Sequence, residues 1–341
     1  MNLKIDNQDL PIGITMGDPA GISADITILS WNKRKESKIP KFVYFGNEEL
    51  LHRRAKLLNL KLETKKITDI DIPFINNLDG ALPVYDIPII KEEPGKFDKK
   101  NDESIVESIL IAYQKLLKNK ISAIVTNPVN KKSLNYLGKK YSGQTELLSF
   151  LDQGKIPVML LTSDVLKVVP LTRHIPVDKI SKIISKDLIV NTINIVNRDL
   201  KRYFNISNPR IVVTGLNPHA GDGGLIGMEE IEIIEPAIME LKKKSIRILG
   251  PLPADSLFNK EKLQNFDVSI CMYHDQALIP IKTISPFSAV NVTLGLNIIR
   301  TSPDHGTAYE IVGTGRADPQ SLIQSIITAK LMVSNSANKN S

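Results

Sequence analysis

Three of the five histidines lie where metal ligands would be expected. His174, His219 and His274 each come shortly after a stretch predicted to be a β-strand. Because the carboxyl ends of strands converge at one edge of an α/β sheet, residues far apart in the chain can meet there. Three neutral imidazoles that leave coordination positions open are typical of a catalytic divalent metal. The spacing equally allows each histidine to be a local hydrogen-bonding group in a turn, and both interpretations stay open.

His219 lies in the most glycine-rich stretch of the chain. Residues 214–224 read Thr-Gly-Leu-Asn-Pro-His-Ala-Gly-Asp-Gly-Gly and contain four glycines and one proline. Glycine lets the backbone adopt conformations closed to other residues and come close to a ligand. The stretch follows a predicted strand and precedes a predicted helix near Met228, which is where open α/β sheets bind ligands. We therefore interpret it as a ligand-binding turn.

Further polar residues suit an anionic substrate. Asp275 directly follows His274, and its carboxylate could orient that ring or bind a substrate ammonium group. Lys282, Asn291 and Arg300 supply two cations and an amide, which suit a phosphate or a carboxylate. The alternative is that the two cations only belong to a solvated surface.

Two other segments have the composition of binding loops. Gln144 and Thr145 open a predicted helix, whose free backbone N–H groups favour anions, although Thr145 can equally be a simple helix cap. Residues 304–315 form a glycine-punctuated polar loop that suits a nucleotide without being diagnostic of one. The Gly-x-Gly-x-x-Gly fingerprint of Rossmann dinucleotide-binding folds does not occur in the sequence.

The elements that position these residues alternate between strand and helix. Predicted strands cover residues 10–16, 41–45, 83–88, 121–126, 157–162, 166–172, 210–214, 267–273 and 290–294. Predicted helices cover residues 22–29, 48–58, 101–118, 178–200 and 317–333. In the helix at 178–200, Ile180, Ile183, Ile184 and Leu188 are predicted to face the core. This alternation predicts an α/β fold with helices on both sheet faces, and 341 residues suffice for two domains.

Composition argues against several other classes of protein. No stretch approaches the roughly 20 apolar residues of a membrane helix. The net charge of +7 comes from scattered lysines, and only 5% of residues are aromatic, so we expect no nucleic-acid partner. Residues 1–6 lack the apolar core of a signal peptide, and Cys271 is the single cysteine, so we expect a cytoplasmic protein.

Six motifs together resemble one enzyme family. In chain order they are Met-Gly-Asp-Pro-Ala-Gly (16–21), Thr-Asn-Pro-Val-Asn-Lys (126–131), Gly-Leu-Asn-Pro-His-Ala-Gly (215–221), Met-Tyr-His-Asp-Gln (272–276), Asn-Val-Thr-Leu-Gly (291–295) and Arg-Thr-Ser-Pro-Asp-His-Gly-Thr-Ala (300–308). Their types and order closely resemble the 4-hydroxythreonine-4-phosphate dehydrogenase family of vitamin B6 (pyridoxal 5′-phosphate) biosynthesis. The resemblance extends over residues 10–330.

The resemblance implies a particular architecture. The family has the isocitrate/isopropylmalate-dehydrogenase type of α/β fold, with two α/β/α domains and an interdomain cleft at a homodimer interface. Residues 1–130 plus 300–341 would form the first domain, with the cofactor loop. Residues 131–299 would form the second, with the metal ligands and the dimer interface.

The resemblance also implies roles for individual residues. The metal ligands would be His174, His219 and His274, contributed by both subunits of a homodimer. The substrate contacts would be Gln144, Thr145, Asp255, Asp275, Lys282, Asn291 and Arg300, with Asp275 and Lys282 also as catalytic residues. The cofactor contacts would be Asp304, His305, Gly306 and Thr307.

The implied reaction is oxidation of 4-phosphooxy-L-threonine at C3, followed by decarboxylation to 3-amino-2-oxopropyl phosphate. The cofactors would be NAD, or alternatively NADP, and one divalent metal per site (Zn²⁺, Mg²⁺, Mn²⁺ or Co²⁺). The chain departs from the family at Gln144, where histidine is usual. Glutamine can hydrogen-bond a phosphate or hydroxyl but cannot carry a proton. A family member acting on phosphorylated threonate or erythronate is therefore the alternative, and a phosphotransacetylase-like acyltransferase is a more distant one.

Overall fold

The computed structural model describes residues 7–72, 75 and 80–337. The chain divides into two compact units, the first made of Met1–Pro157 and Leu296–Ser341 and the second of Val158–Gly295. Residues 1–6, on which the expectation about a signal peptide depends, lie outside the described residues. Within the described ranges, no helix is both long and apolar enough to cross a bilayer.

The first unit is built on a parallel sheet. Numbered in chain order, its strands are β1 (Ile12–Thr15), β2 (Phe42–Gly46), β3 (Thr64–Lys66), β4 (Leu82–Asp86), β5 (Ala123–Val125) and β14 (Arg300–Pro303). They lie in the order β14-β5-β1-β2-β4-β3, and all neighbouring pairs are parallel. A separate hairpin pairs β6 (Asn135–Tyr136) with β7 (Lys139–Lys140).

Helices cover both faces of this sheet. They are α1 (Ser23–Asn32), α2 (Glu48–Leu57), α3 (Asp102–Leu117), α4 (Gln144–Leu151) and α10 (Gln320–Ala337). Val43 and Phe45 of β2 belong to the hydrophobic cluster that contains Ile109 of α3. Phe42, on the other face, packs edge-on against Trp31 of α1 with ring centroids 5.3 Å apart. Since successive strand residues point to opposite faces, this unit has an α/β/α layering.

The second unit is built on a mixed sheet. Its strands are β8 (Val158–Thr162), β9 (Lys167–Pro170), β10 (Ile211–Thr214), β11 (Ile248–Leu252), β12 (Val268–Cys271) and β13 (Val290–Leu294). Their order is β11-β10-β12-β9-β8-β13. The pairs from β11 to β9 are parallel, whereas β8 is antiparallel to β9 and to β13.

Helices also pack on this second sheet. They are α5 (Ile180–Ile183), α6 (Lys186–Tyr203), α7 (Glu235–Lys243), α8 (Ala254–Leu257) and α9 (His274–Ile284). Helix α9 buries Ala277 and Ile281 in a cluster with Val168 of β9, while α6 packs against β8 and β13. The α/β class predicted from the alternation of elements is therefore confirmed.

The helix predicted at residues 178–200 is interrupted. A 3₁₀ turn, Val177–Lys179, leads into the short α5, and α6 begins only after Ser185. The Ser185 hydroxyl accepts a hydrogen bond of 3.2 Å from the Leu188 N–H, a typical N-cap that starts a new helix. Ile180 and Ile184 are buried as predicted. The prediction for Ile183 is wrong, since its side chain is 41% exposed, and Leu188 is only half-buried.

Helix α9 was not apparent in the sequence, which placed His274 in a turn. His274 is in fact the first residue of this helix, and the helix continues through Pro280. Proline inside a helix removes a hydrogen bond and normally predicts an interruption, which explains why the helical pattern was missed.

The boundary between the units also differs from the predicted one. The first unit continues to Pro157 and resumes at Leu296, instead of ending at residue 130 and resuming at residue 300. The physical reason is α4, which buries Leu147 and Leu148 in the same hydrophobic cluster as Ile109 of α3. Gln144 and Thr145 therefore belong to the first unit.

Candidate active site

Two of the predicted metal ligands lie side by side in the second unit. The ring centroids of His174 and His274 are 5.6 Å apart. The pairing of β9 with β12 brings them together, and it extends past both strands: the Thr172 N–H donates to the Met272 carbonyl over 3.3 Å. Each histidine lies two residues beyond one member of that pair. Strand register therefore sets the distance between these two rings.

Asp275 orients the His274 ring. The Nδ1 atom of His274 lies 2.7 Å from Oδ1 of Asp275. Because a carboxylate oxygen can only accept, Nδ1 donates, and the neutral ring then presents the lone pair of Nε2. A carboxylate held against one ring nitrogen is the usual arrangement behind a metal-binding histidine. The structure thus supports the orienting role considered for Asp275.

The His219 turn has an unusual backbone. Five successive residues have left-handed φ angles, namely His219 (53°), Ala220 (54°), Gly221 (80°), Asp222 (45°) and Gly223 (64°). The glycine content predicted such freedom, but three of these five residues are not glycine. Contacts elsewhere in the unit must hold them in this conformation, because left-handed backbone is unfavourable for residues with a Cβ.

Gln276, for which the sequence pattern predicted no role of its own, joins the two histidine segments. Its Oε1 accepts hydrogen bonds from the Thr214 hydroxyl (2.6 Å) and the Met272 N–H (2.7 Å). Its Nε2 donates to the Gly215 carbonyl over 2.9 Å. The glutamine at the end of the 272–276 motif was the available signal. It ties the start of α9 to the start of the His219 turn.

The described part of a single chain does not assemble a complete metal site. Across these ranges, no three His, Cys, Asp or Glu side chains are grouped closely enough to hold a metal ion. One chain supplies the His174–His274 pair. The set of His174, His219 and His274 stays a prediction, in which the three rings would be contributed by both subunits of a homodimer.

The other predicted residues of the second unit occupy separate elements. Asp255 lies in α8, which packs against the turn Pro218–Gly224. Lys282 lies in the last turn of α9, eight residues or about 12 Å along the helix axis from His274. Asn291 is half-buried on β13, opposite Leu161 of β8.

A buried arginine lies at the centre of a group of polar side chains in the first unit. Arg300, at the start of β14, is only 3% exposed. Its Nε and Nη2 donate to the Thr126 hydroxyl over 3.1 and 2.6 Å, and Nη1 donates to the Thr145 hydroxyl over 3.3 Å. Burial lowers the pKa of Arg300 to about 10, so the guanidinium stays charged at neutral pH.

Gln144 belongs to the same group. Its Nε2 donates to the Asn127 carbonyl over 3.0 Å. The Gln144 Oε1 and Asn127 Oδ1 atoms are buried and have no hydrogen-bond partner in the described structure. Buried acceptors of this kind are normally satisfied, so the pair is suited to a donor on a ligand. The structure thus brings together Gln144, Thr145 and Arg300 and adds Thr126 and Asn127, whose signal was the 126–131 motif.

The predicted cofactor loop rests on the turn that follows β1. The Thr307 carbonyl accepts a hydrogen bond from the Ile22 N–H over 3.0 Å. A Cβ on Gly21 would lie 2.9 Å from that carbonyl oxygen, so a side chain there would displace the loop. The Asp304 N–H donates to the Ser321 hydroxyl over 3.1 Å. The predicted cofactor contact is therefore anchored by hydrogen bonds at both of its ends, Asp304 and Thr307, and His305 and Gly306 lie between them.

A tyrosine that follows these residues is hydrogen-bonded to Asp18. The Tyr309 hydroxyl donates to Oδ2 of Asp18 over 2.6 Å and accepts from Nδ2 of Asn130 over 3.0 Å. Burial raises the pKa of Asp18 above its usual range. Burial, with the bond to Asp18, raises the pKa of Tyr309 to about 12. The phenol therefore keeps its proton at neutral pH and acts as the donor.

Comparison with known proteins gives consistent matches along the chain. A family model described as pyridoxal phosphate biosynthetic protein PdxA matches residues 38–329. A 4-hydroxythreonine-4-phosphate dehydrogenase of Bradyrhizobium diazoefficiens is 43% identical over 333 residues, covering 94% of this chain and 96% of the relative. The crystal structure of 4-hydroxythreonine-4-phosphate dehydrogenase from Klebsiella pneumoniae is 35% identical with a TM-score of 0.83, covering 95% and 99% of the two chains.

A more distant structure shares the fold alone. Terephthalate 1,2-cis-dihydrodiol dehydrogenase from Burkholderia xenovorans is 22% identical with a TM-score of 0.61, covering 94% of this chain and 98% of that one. The matches at higher identity confirm the resemblance inferred from the six motifs. The chain therefore belongs to the 4-hydroxythreonine-4-phosphate dehydrogenase family, whose model is described as pyridoxal phosphate biosynthetic protein PdxA.

Proposed function

We propose that this protein oxidises 4-phosphooxy-L-threonine at C3 and releases CO₂, giving 3-amino-2-oxopropyl phosphate for pyridoxal 5′-phosphate biosynthesis. The observation that carries the proposal is the His174–His274 pair, whose rings lie 5.6 Å apart with Nδ1 of His274 held by Asp275. Membership of the family supports the substrate class.

In this proposal, His174, His274 and a His219 ring from the second subunit hold one divalent metal. The bound metal supplies Lewis acidity, which makes a substrate hydroxyl more acidic and favours loss of its proton. Asp275 keeps His274 in the tautomer that binds metal, through the 2.7 Å bond to Nδ1. Asp275, a neutral Lys282 or a water relay is the proposed acceptor of that proton. Lys282 is also a proposed phosphate contact, and Asp255 and Asn291 complete the substrate contacts of this unit.

The first unit supplies the other proposed phosphate contact, Arg300. Arg300 is held by two threonine hydroxyls, so its charge is fixed before substrate arrives. Charged hydrogen bonds to phosphate or carboxylate are about twice as strong as neutral ones. The unpartnered acceptor of Gln144 suits a hydroxyl or ammonium proton of the same substrate.

We propose that NAD⁺, or NADP⁺, contacts Asp304, His305, Gly306 and Thr307. When bound there, the cofactor would supply the hydride acceptor for C3, and the substrate oxidised at C3 is a β-keto acid. The ketone can take up the electron pair released as the carboxylate leaves as CO₂, and protonation of the resulting enolate gives the aminoketone. The anchored ends of this loop, at Ile22–Thr307 and Ser321–Asp304, support its use as a rigid cofactor contact.

The proposal is tested by following NADH formation with 4-phosphooxy-L-threonine and with phosphothreonate. Each substrate is assayed after EDTA treatment and after addition of Zn²⁺, Mg²⁺, Mn²⁺ or Co²⁺. We expect turnover of 4-phosphooxy-L-threonine that EDTA abolishes and metal restores. Absence of turnover with both substrates and every metal would contradict the dehydrogenase proposal.

The alternative substrate, a phosphorylated threonate or erythronate, is favoured by one residue only. Gln144 replaces the histidine usual in the family and hydrogen-bonds the Asn127 carbonyl. We expect Gln144→His to change the ratio of kcat/KM for the two substrates by about tenfold. A tenfold change corresponds to about 1.4 kcal/mol, which is roughly the free energy that one hydrogen bond to a charged group contributes. Steady-state kinetics with both substrates measure this ratio. An unchanged ratio and unchanged KM values would show that position 144 does not select the substrate.

We further propose a homodimer, with the His219 turn at its interface. Directly after this turn, Leu225 is 86% exposed, and Ile226, Met228 and Ile231 are also exposed. A cluster of exposed apolar side chains marks a protein interface more often than a free surface. A second copy seated there would bring its own His219 turn to the site.

Leu225→Glu tests this interface. A charged side chain in a buried interface is unfavourable, so we expect the sedimentation coefficient to fall to that of a monomer and the metal-dependent activity to be lost. Leu137→Glu is the matched control, because Leu137 is 76% exposed on the hairpin of the first unit. A dimeric, fully active Leu225→Glu protein would place the interface elsewhere.

A further inference from the structure

The left-handed run from His219 to Gly223 needs a stabilising contact. Left-handed backbone is sterically unfavourable for each residue that carries a Cβ. Three such residues, His219, Ala220 and Asp222, lie in the run. A backbone hydrogen bond connects this run to the residues that precede it: the Ala220 N–H donates to the Asn217 carbonyl over 3.1 Å. Whatever holds Asn217 therefore also holds the beginning of the left-handed run.

Glu230 holds the Asn217 backbone and side chain, and the neighbouring Glu229 accepts one further hydrogen bond of 2.8 Å from Nδ2 of Asn217. The Glu230 carboxylate is 1% exposed. Its Oε1 accepts hydrogen bonds from the N–H groups of Leu216 (2.7 Å) and Asn217 (2.8 Å), and its Oε2 accepts from Nδ2 of Asn217 (2.9 Å). A buried carboxylate that receives three hydrogen bonds fixes its donors more strongly than a neutral acceptor would.

The turn also encloses this carboxylate. A Cβ built on Gly221 would lie 2.7 Å from Oε2 of Glu230, and one on Gly215 would lie 2.9 Å from Oε1. The position of Glu230 therefore leaves no room for a side chain at Gly221, and Glu230 together with the Ala220 backbone, 2.7 Å from the same Cβ position, leaves none at Gly215. Glu230 itself begins a π-helical turn, Glu230–Ile234, ahead of α7. Such turns are uncommon and frequently occur at functional sites.

We infer that Glu230 is a positioning residue for the metal ligand His219. It holds the residues that lead into the left-handed run, and this backbone conformation sets the direction in which the His219 side chain leaves the chain. The inference rests on the proposed role of His219 as a metal ligand. It assigns Glu230 no contact with the metal or the substrate.

The matched variants are Glu230→Gln and Glu232→Gln. Glu232 lies in the same π-helical turn but is exposed, so its replacement makes the same charge change without touching the turn. In Glu230→Gln, the amide that replaces one carboxylate oxygen would face the Asn217 amide as a second donor. Asn217→Ala removes the side-chain hydrogen bonds from Nδ2 of Asn217 to Glu230 (2.9 Å) and to Glu229 (2.8 Å), leaves the backbone bonds to Glu230 in place, and provides a milder variant should Glu230→Gln not fold.

The first measurement uses metal-free protein. Amide hydrogen exchange at Leu216 and Asn217 is expected to be about tenfold faster in Glu230→Gln than in the wild type, because a charge-assisted bond is replaced by a weaker one. Asn217→Ala should show a smaller increase at Leu216, and Glu232→Gln none. Wild-type exchange rates in folded Glu230→Gln would overturn the inference.

The second measurement is the affinity for Zn²⁺, by competition with a chelator. Loss of a group that orients a metal ligand typically lowers metal affinity by about 10–100-fold, and we expect this for Glu230→Gln but not for Glu232→Gln. Adding Ala220→Gly to Glu230→Gln should restore part of the affinity, because glycine accepts the left-handed conformation without a steric cost. No restoration would show that Glu230 acts through its charge and not through the turn.

The two measurements separate the two proposals. A wild-type protein that binds no divalent metal would contradict the proposed function, while the exchange rates at Leu216 and Asn217 would still report on the turn. Conversely, tight metal binding in Glu230→Gln with unaltered exchange would contradict the role of Glu230 and leave the proposed function standing.

Discussion

Replacement of His274 by alanine is expected to lower kcat/KM for 4-phosphooxy-L-threonine about a thousandfold. The ring is one of the pair with His174, and Asp275 holds it in the tautomer that can bind metal. A metal acting as a Lewis acid contributes several kcal/mol to the stabilisation of the transition state. Loss of about 4 kcal/mol corresponds to a thousandfold decrease in rate. The measurement is steady-state kinetics at saturating metal, with a parallel metal titration.

The fold should survive this change. The His274 side chain is 36% exposed, so alanine leaves little apolar area unpacked. His52→Ala is the control, because His52 is an exposed histidine whose Nε2 bonds the Thr64 hydroxyl over 2.8 Å. We expect the control to retain wild-type activity, and His219→Ala to lose it while remaining folded. Activity within tenfold of wild type in His274→Ala or His219→Ala would remove that residue from the ligand set.

Replacement of Arg54 by methionine is expected to destabilise the first unit by about 3–5 kcal/mol. Arg54 is 1% exposed and forms an ion pair with Asp25, which is fully buried. It also donates to the carbonyls of Gly21 (2.9 Å) and Pro19 (3.1 Å). Removing the guanidinium leaves the buried Asp25 carboxylate without its counter-charge and the Gly21 and Pro19 carbonyls without the donor that Arg54 provides. Thermal denaturation should show a melting temperature lower by roughly 10 °C.

Arg54 also supports the proposed cofactor loop. The Asp25 carboxylate accepts a hydrogen bond from the Gly313 N–H over 2.7 Å, so the Arg54–Asp25 pair connects the end of the loop to the turn that contains Pro19 and Gly21. Below its melting temperature, Arg54→Met should therefore bind NAD more weakly, as measured by titration. Lys56→Met, an exposed cation in the same helix, is expected to change stability by less than about 0.5 kcal/mol. A melting temperature of Arg54→Met equal to that of Lys56→Met would contradict the prediction.

The sequence was most informative about local elements. Hydrophobic periodicity predicted α3 and β13 close to their observed bounds. The buried residues of α3 recur along one face of the helix, and β13 is a short run of mostly buried residues, so both patterns are visible in the sequence. Where a local hydrogen bond or a proline competed with the periodicity, the prediction was wrong, as at Ser185 and in α9 around Pro280. Both cases depend on packing that a single segment does not reveal.

The sequence by itself determined the α/β class, the family, and the three histidines and Gln144 as residues to examine. Only the tertiary structure decided which of these residues meet. His174 and His274 are neighbours because β9 pairs with β12, and Arg300 reaches Thr126 because β14 lies beside β5. The roles of Glu230 and Arg54 likewise follow from burial. Strand order and burial arise from contacts between residues far apart in the chain, which the pattern of neighbouring residues does not encode.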